Sequence, residues 1–184
     1  MNSLFNHIIS DWKRYGVTDR QWKLLQIKSY RPTILFSKGP SFSPTFDQAP
    51  YKDYFKVAVS QAGLEVPDVD LIIGQDKNNR DAILDAGYKG LIITAMKPEW
   101  QESWTTRFKT SYEFALRVLG ELGCRTLTVI GHDGKGVPSF DYPNHPEYDN
   151  NFVSDYLAKN PVFKQREDET IAKYKLNINN IGKL

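Results

Sequence analysis

The chain is poor in cysteine and histidine and has no long apolar run. Cys124 is the single cysteine in 184 residues, which excludes an internal disulfide and a zinc site built on cysteines. A reducing cytoplasm is the setting this implies. There are three histidines, His7, His132 and His145, and none falls in an H-E-x-x-H or paired Cys/His spacing, so no metal site is expected from them. No apolar stretch approaches the roughly 20 residues that cross a bilayer, and no membrane span is expected. The opening segment, MNSLFNHIISDWKRYG, lacks a basic stretch followed by a long apolar core and does not read as a signal peptide. The patterns G-x-x-x-x-G-K-[ST], G-x-G-x-x-G and G-x-S-x-G are all absent. That removes the Walker loop, the dinucleotide fingerprint and the α/β-hydrolase elbow. No internal repeat or low-complexity tract is present.

What is present is an ordinary globular composition, 40% hydrophobic and 25% charged, long enough for one domain with a substantial core. The net charge of +2 is small, but it is unevenly spread: residues 1–32 hold six Lys/Arg against two acids, and residues 33–159 hold 13 against 17. The basic N-terminus is laced with aromatics: Trp12, Lys13, Arg14, Tyr15, Arg20, Trp22 and Lys23. It reads either as an amphipathic helical pair whose tryptophans pack onto the domain or as a surface for nucleic acid or another polyanion.

Leu4, Ile8, Ile9 and Trp12 fall at helical spacing, as do Trp22 and Leu25, with Gly16 between them and Thr18 able to cap the second helix. After Pro32 the pattern changes. Short runs rich in Val, Ile and Thr at Thr33–Phe36, Lys56–Val59, Val69–Ile73, Leu91–Thr94 and Thr126–Ile130 predict strands. Their near-continuous apolarity predicts burial on both faces, as in a parallel sheet. Helix-like segments lie between them, at Asn79–Ala86 and at Thr105–Leu122, where Tyr112, Ala115, Leu116, Leu119 and Leu122 form a stripe closed by Gly123. Asp47–Tyr54 has room for a turn of helix. Two further helices are expected at Asn151–Lys159 and Phe163–Tyr174, followed by strand or coil at Leu176–Ile178. The alternation predicts a three-layer α/β sandwich. The chain divides into an N-terminal helical extension (1–31), a core (32–148) and a C-terminal helical segment (149–184).

Each predicted strand is followed by polar or glycine-rich residues. The tails read Ser37-Lys38-Gly39-Pro40-Ser41, Ser60-Gln61-Ala62-Gly63, Gly74-Gln75-Asp76-Lys77, Thr94-Ala95-Met96-Lys97 and Gly131-His132-Asp133-Gly134. In a parallel sheet all five tails meet at one edge, where open α/β sheets bind their ligands. Surface loops are polar in any case, but the glycine density goes further, because glycine lets a backbone approach a ligand closely. Gly39 can turn the chain, the amides and hydroxyl near Ser41 can face an anion, and Lys38 can neutralise phosphate. Gln61, Gly131 and His132 stand on the same predicted edge. Asp76 and Asp133 can hold a ribose hydroxyl, reach Mg2+ or act as a base. His145, in a proline-rich loop between Tyr142 and Tyr148, can serve as acid or base.

The stretches KGPSF, VDLIIGQD and LGCRTLTVIGHDG resemble two related groups, the bacterial sialyltransferase-like glycosyltransferases and the archaeal 6-hydroxymethylpterin diphosphokinase-like proteins. The resemblance covers residues 32–148. Ser37 stands where the longer loop of the first group carries a glycine, and Ser60-Gln61 where its second strand often ends in asparagine. The resemblance implies a Rossmann-like fold, with a mostly parallel sheet of five or more strands, and a nucleotide-sugar as donor. Gly39, Pro40 and Ser41 would then contact the donor's phosphate or ribose, Asp76 would lie beside it, and Asp133 near the nucleotide or acceptor. His145 or Asp133 would be the catalytic base. The expected activity is sugar transfer to a hydroxyl acceptor. The alternatives are Mg2+-dependent diphosphate transfer from ATP, with Asp76 and Asp133 as ligands, and a non-catalytic module that binds nucleic acid through Lys13, Arg14 and Lys23.

Overall fold

A computed structural model of the chain describes residues 15–39, 41–43, 45–74, 77–94, 110–132 and 160–181. The elements in chain order are α1 (Asp19–Lys28), β1 (Thr33–Phe36), β2 (Phe55–Val59), β3 (Leu71–Gly74), α2 (Lys77–Asp85), β4 (Ile92–Thr94), α3 (Ser111–Leu122), β5 (Thr126–Ile130), α4 (Asn160–Tyr174) and β6 (Asn177–Ile181). Short 3-10 turns occupy Ala49–Tyr51 and Ser60–Glu65. The strands form one six-stranded sheet in the order β4-β3-β2-β1-β5-β6, and every pairing is parallel. The fold is Rossmann-like α/β.

The β1, β2 and β3 strands are buried along their whole length, because both faces of the sheet are covered. Alternate residues serve the two faces. Leu35, Val57, Val59, Leu71, Ile73, Ile93, Leu127 and Val129 share one core with Tyr112, Phe114, Ala115, Leu116, Val118 and Leu119 of α3 and Trp22 and Leu25 of α1. Ile34, Phe36, Ala58 and Ile130 face the other way, onto Phe42, Ala62 and Val66 with Phe46, Tyr51 and Tyr54 around them. The β1–β2 connection thus covers the sheet with a cluster of aromatic rings rather than with an α-helix. Phe36 and Phe42 lie 5.2 Å apart, and Phe46 stacks on Tyr51 at 5.8 Å.

The helix ends follow from local chemistry. Thr18 caps α1 in a reciprocal capping box with Gln21, which satisfies two of the end amides. Thr110 accepts from the Glu113 amide at the start of α3, and Gly123, at φ +100°, closes it. At Gly120 of α3 a side chain would run into Tyr174 of α4, within 2.4 Å of its ring, so the absence of one lets α3 and α4 approach closely. Tyr15 and Trp22 are buried and stack on each other at 5.9 Å. These two aromatics of the basic segment pack into the domain, while Arg20 and Lys23 stay exposed. Among the described residues no helix is long and apolar enough to cross a membrane.

The five predicted strands are present, Thr33–Phe36 and Thr126–Ile130 with the expected ends and the other three with shifted ones. The third starts at Leu71, not Val69, and runs to Gly74. The helix predicted from Asn79 begins at Lys77. Leu176–Ile178, left between strand and coil, opens into a sixth strand that pairs with β5 from Thr126↔Asn177 to Ile130↔Ile181. Its sequence, NINNI, carries little strand propensity; register against β5 and the α4 crossover before it hold it in place. The segment read as a C-terminal helical extension therefore completes the sheet. The helices expected at Leu4–Trp12 and Asn151–Lys159 lie outside the described residues.

Cys124 is 2% exposed, and burial raises its thiol pKa, with the Thr33 hydroxyl 3.5 Å from Sγ. Both burial and the scarcity of thiolate suppress its reactivity. The folded chain is expected to react with Ellman's reagent at least about a hundredfold more slowly than the chain in guanidinium, as followed by absorbance at matched pH.

Candidate functional site at the carboxyl edge

The strand order reverses at β1. The chain steps from β1 to β2, β3 and β4 on one side, then returns to place β5 and β6 on the other. The carboxyl ends of β1 and β5 are the topological switch point, the place where such sheets leave a crevice. Phe36 and Ile130 are the last paired residues there. Backbone bonds then carry the junction past the strands. The Ser37 amide donates to the Ile130 carbonyl at 2.8 Å, and the Gly39 amide to the Gly131 carbonyl at 2.6 Å. The Gly131 amide in turn donates to Ser41 Oγ at 2.9 Å.

Beyond this junction the two tails part. The β1 tail turns back, with the Phe42 amide on the Gly39 carbonyl at 3.0 Å, and drops Phe42 onto the aromatic face. The β5 tail carries His132 towards the helical face, where its ring stacks on Tyr112 with centroids 3.5 Å apart and planes at 9°. Gly131 makes the junction possible. It has φ +76°, and a β-carbon there would sit 2.0 Å from the Ser37 carbonyl oxygen and 3.0 Å from Cβ of Phe42.

His132 is held a second way. Its Nε2 lies 3.0 Å from Oε2 of Glu167, a residue 6% exposed on the inner face of α4. Lys38 is 5% exposed at the β1 tail. On the neighbouring β2 tail, Ser60 takes the left-handed φ of +51°, and Gln61 is 1% exposed. Gln61 Nε2 donates to Asn79 Oδ1 at 3.1 Å, while its Oε1, like Gln48 Oε1 and Asn180 Oδ1, is buried with no hydrogen-bond partner among the described residues. Backbone strain and an unmet polar atom each carry a cost that well-packed structure normally avoids.

Of the residues singled out from sequence, Lys38, Gly39, Ser41, Gly131 and His132 come together at the switch point, and Gln61 lies on the adjoining strand tail. Gly39 and Ser41 do not present the expected open cradle. The Gly39 amide is engaged by Gly131, and the Ser41 hydroxyl accepts from it. Both fix the loop, which leaves Lys38 as the cationic group at this tail. Pro40, Asp76, Asp133 and His145 lie outside the described residues. Among the described residues no three His, Cys, Asp or Glu side chains converge as a metal site would require.

Glu167 was missed. The signal for it was a carboxylate in an apolar stripe: Phe163, Glu167, Ile171 and Tyr174 follow helical spacing. No family model, curated protein or solved structure matches the chain, so the reading of this edge rests on its own geometry.

Two glycines at positive φ separate backbone strain from collision. Gly123→Ala meets nothing within 4 Å and should cost about 1 kcal/mol for the conformation alone. Gly131→Ala adds the clash with Ser37 and should cost more than about 2 kcal/mol. Urea unfolding of both variants checks this through the shift in midpoint.

Proposed function

We propose that the chain is a nucleotide-dependent transferase, moving a sugar from a nucleotide-sugar donor to a hydroxyl acceptor. One observation carries the reading: the switch point of an all-parallel sheet gathers a buried lysine, a glycine-tied loop and a carboxylate-held histidine on one edge. The ligand rule for such sheets favours this crevice over any other place on the fold.

The chemistry asks little of the protein beyond position and charge. The donor must be held by its nucleotide and phosphates, the acceptor oxygen placed next to the sugar carbon, and the charge on the departing phosphate stabilised. Lys38 supplies positive charge beside the junction. The loop bonds from Gly39 and Ser41 to Gly131 keep that lysine's backbone from shifting. Gln61, whose amide is anchored by Asn79, stiffens the neighbouring β2 tail. The resemblance of KGPSF and VIGHDG to sialyltransferase-like loops points to the same donor class. It is short, and the switch-point geometry carries more weight.

Calorimetry with the full chain against CMP-, UDP- and GDP-sugars, with ATP plus Mg2+ as a separate arm, tests the reading. At least one nucleotide-sugar should bind, and Lys38→Ala should weaken it about 10- to 100-fold, the scale of one charge-assisted contact. Heat with none of the sugars overturns the reading, and heat with ATP alone replaces it with diphosphate transfer.

A further inference from the structure

We propose that His132 is the proton acceptor of the transfer reaction, that Glu167 is its positioning residue, and that the acceptor substrate is an alcohol rather than an anion. The proposal rests on the transferase reading above and assigns the base to a residue other than His145 or Asp133.

Three features of His132 meet here. Its place is the first: it follows Gly131 directly, at the mouth of the switch point, one residue from the bonds that tie β5 to the Gly39–Ser41 loop. Its fixation is the second. The Tyr112 ring covers one face at 3.5 Å and Glu167 holds Nε2 at 3.0 Å, so the ring can neither tilt nor flip without losing a partner. Its protonation pattern is the third. A buried carboxylate oxygen needs a donor, and Glu167 Oε2 meets Nε2 at 3.0 Å. That contact selects the tautomer with its hydrogen on Nε2. Nδ1 then keeps its lone pair, and among the described residues it makes no hydrogen bond to protein. The His132 side chain is 16% exposed, enough for a small group to reach it.

That is the arrangement of a general base oriented by a third group. In the step it performs, the acceptor O–H bond breaks and its proton passes to Nδ1. The acceptor oxygen bonds to the sugar carbon as the bond from that carbon to the donor phosphate breaks, and the electron pair leaves with the nucleotide. His132 becomes an imidazolium whose charge Glu167 balances, and it later gives the proton to water. The acceptor class follows from this. A carboxylate or phosphate acceptor already carries a charged, nucleophilic oxygen and needs no base to attack, whereas an alcohol does.

Two measurements on the full chain decide the matter. The first is a long-range 1H–15N spectrum of the 15N-labelled protein without ligand. The His132 signals are assigned by their loss in His132→Gln, or by elimination with His7→Gln and His145→Gln should that variant not fold. Expected is the Nε2–H tautomer with bare Nδ1, turning to a tautomer mixture in Glu167→Ala. An Nδ1–H tautomer, or one indifferent to Glu167, overturns the proposal.

The second uses whichever CMP-, UDP- or GDP-sugar binds by calorimetry, with glycerol and inorganic phosphate as competing acceptors. His132→Gln should hold the donor Kd within about threefold and lower kcat at least about a hundredfold, and product should form on glycerol. Wild-type turnover in His132→Gln, or transfer to phosphate alone, overturns the proposal while leaving the transferase reading intact. Absence of any donor binding overturns the transferase reading and the alcohol assignment with it, and the tautomer then still decides whether Glu167 orients His132.

Discussion

The pairing of β1 with β5, and its extension past the strand ends, is the constraint on which the rest of the molecule depends. Four register pairs, from Thr33↔Leu127 to Phe36↔Ile130, join strands far apart in sequence. Closing such a long loop costs entropy before any contact rewards it. The reward is a β1 strand with a parallel neighbour on both sides and buried side chains on both faces. At the carboxyl end the same pairing continues through Ser37, Gly39 and Gly131. There it leaves so little space that only a glycine fits opposite the Ser37 carbonyl. One interaction thus sets the centre of the core and the position of Lys38 and His132.

The amino edge of the sheet is tied by an ion-pair cluster. At the amino edge Asp70 is fully engaged. Lys28 Nζ reaches it at 2.6 Å, Arg31 at 2.8 Å and the Lys56 amide at 3.0 Å. Burial, with the Asp70 charge second, pushes the Tyr88 phenol up to about 12, so the phenol stays neutral beside that carboxylate. These bonds tie the end of α1 to β2 and β3 and fix where the chain enters the sheet. Left-handed backbone occurs at that edge too, at Asp68 and Lys175, each at φ +53° just before β3 and β6.

The strands were legible because both faces are buried. Runs such as TILF and LIIG have no polar alternation and few other places to go. Thr18 and Gly123 announced the start of α1 and the end of α3 through cap chemistry that acts within a turn. The β6 strand was poorly legible, since NINNI is placed by its partner rather than by its own propensity. Within the site, the shared edge followed from strand direction alone, but what each group does there could not. The Gly39 amide and Ser41 hydroxyl looked like an anion cradle, and Gly131 engages both across 90 residues or more of sequence. Glu167 escaped for the same reason: its partner is a histidine 35 residues away, and only the α4 crossover brings it inward.

Local costs are carried at both edges. A buried amide oxygen without a partner among the described residues, as in Gln61, and a serine held at φ +51°, as in Ser60, each cost about 1–3 kcal/mol. A change of one or two residues could relieve either. At the amino edge Asp70 has its donors, while Asp68 and Lys175 carry the same left-handed strain. At the carboxyl edge the two costs fall on adjacent residues of the β2 tail. Strain is therefore no mark of one edge; what sets the carboxyl edge apart is the junction of the β1 and β5 tails through Gly39, Ser41 and Gly131. There the bonds among Ser37, Gly39, Ser41, Ile130 and Gly131, rather than strain, hold the backbone of Lys38 and His132 in place.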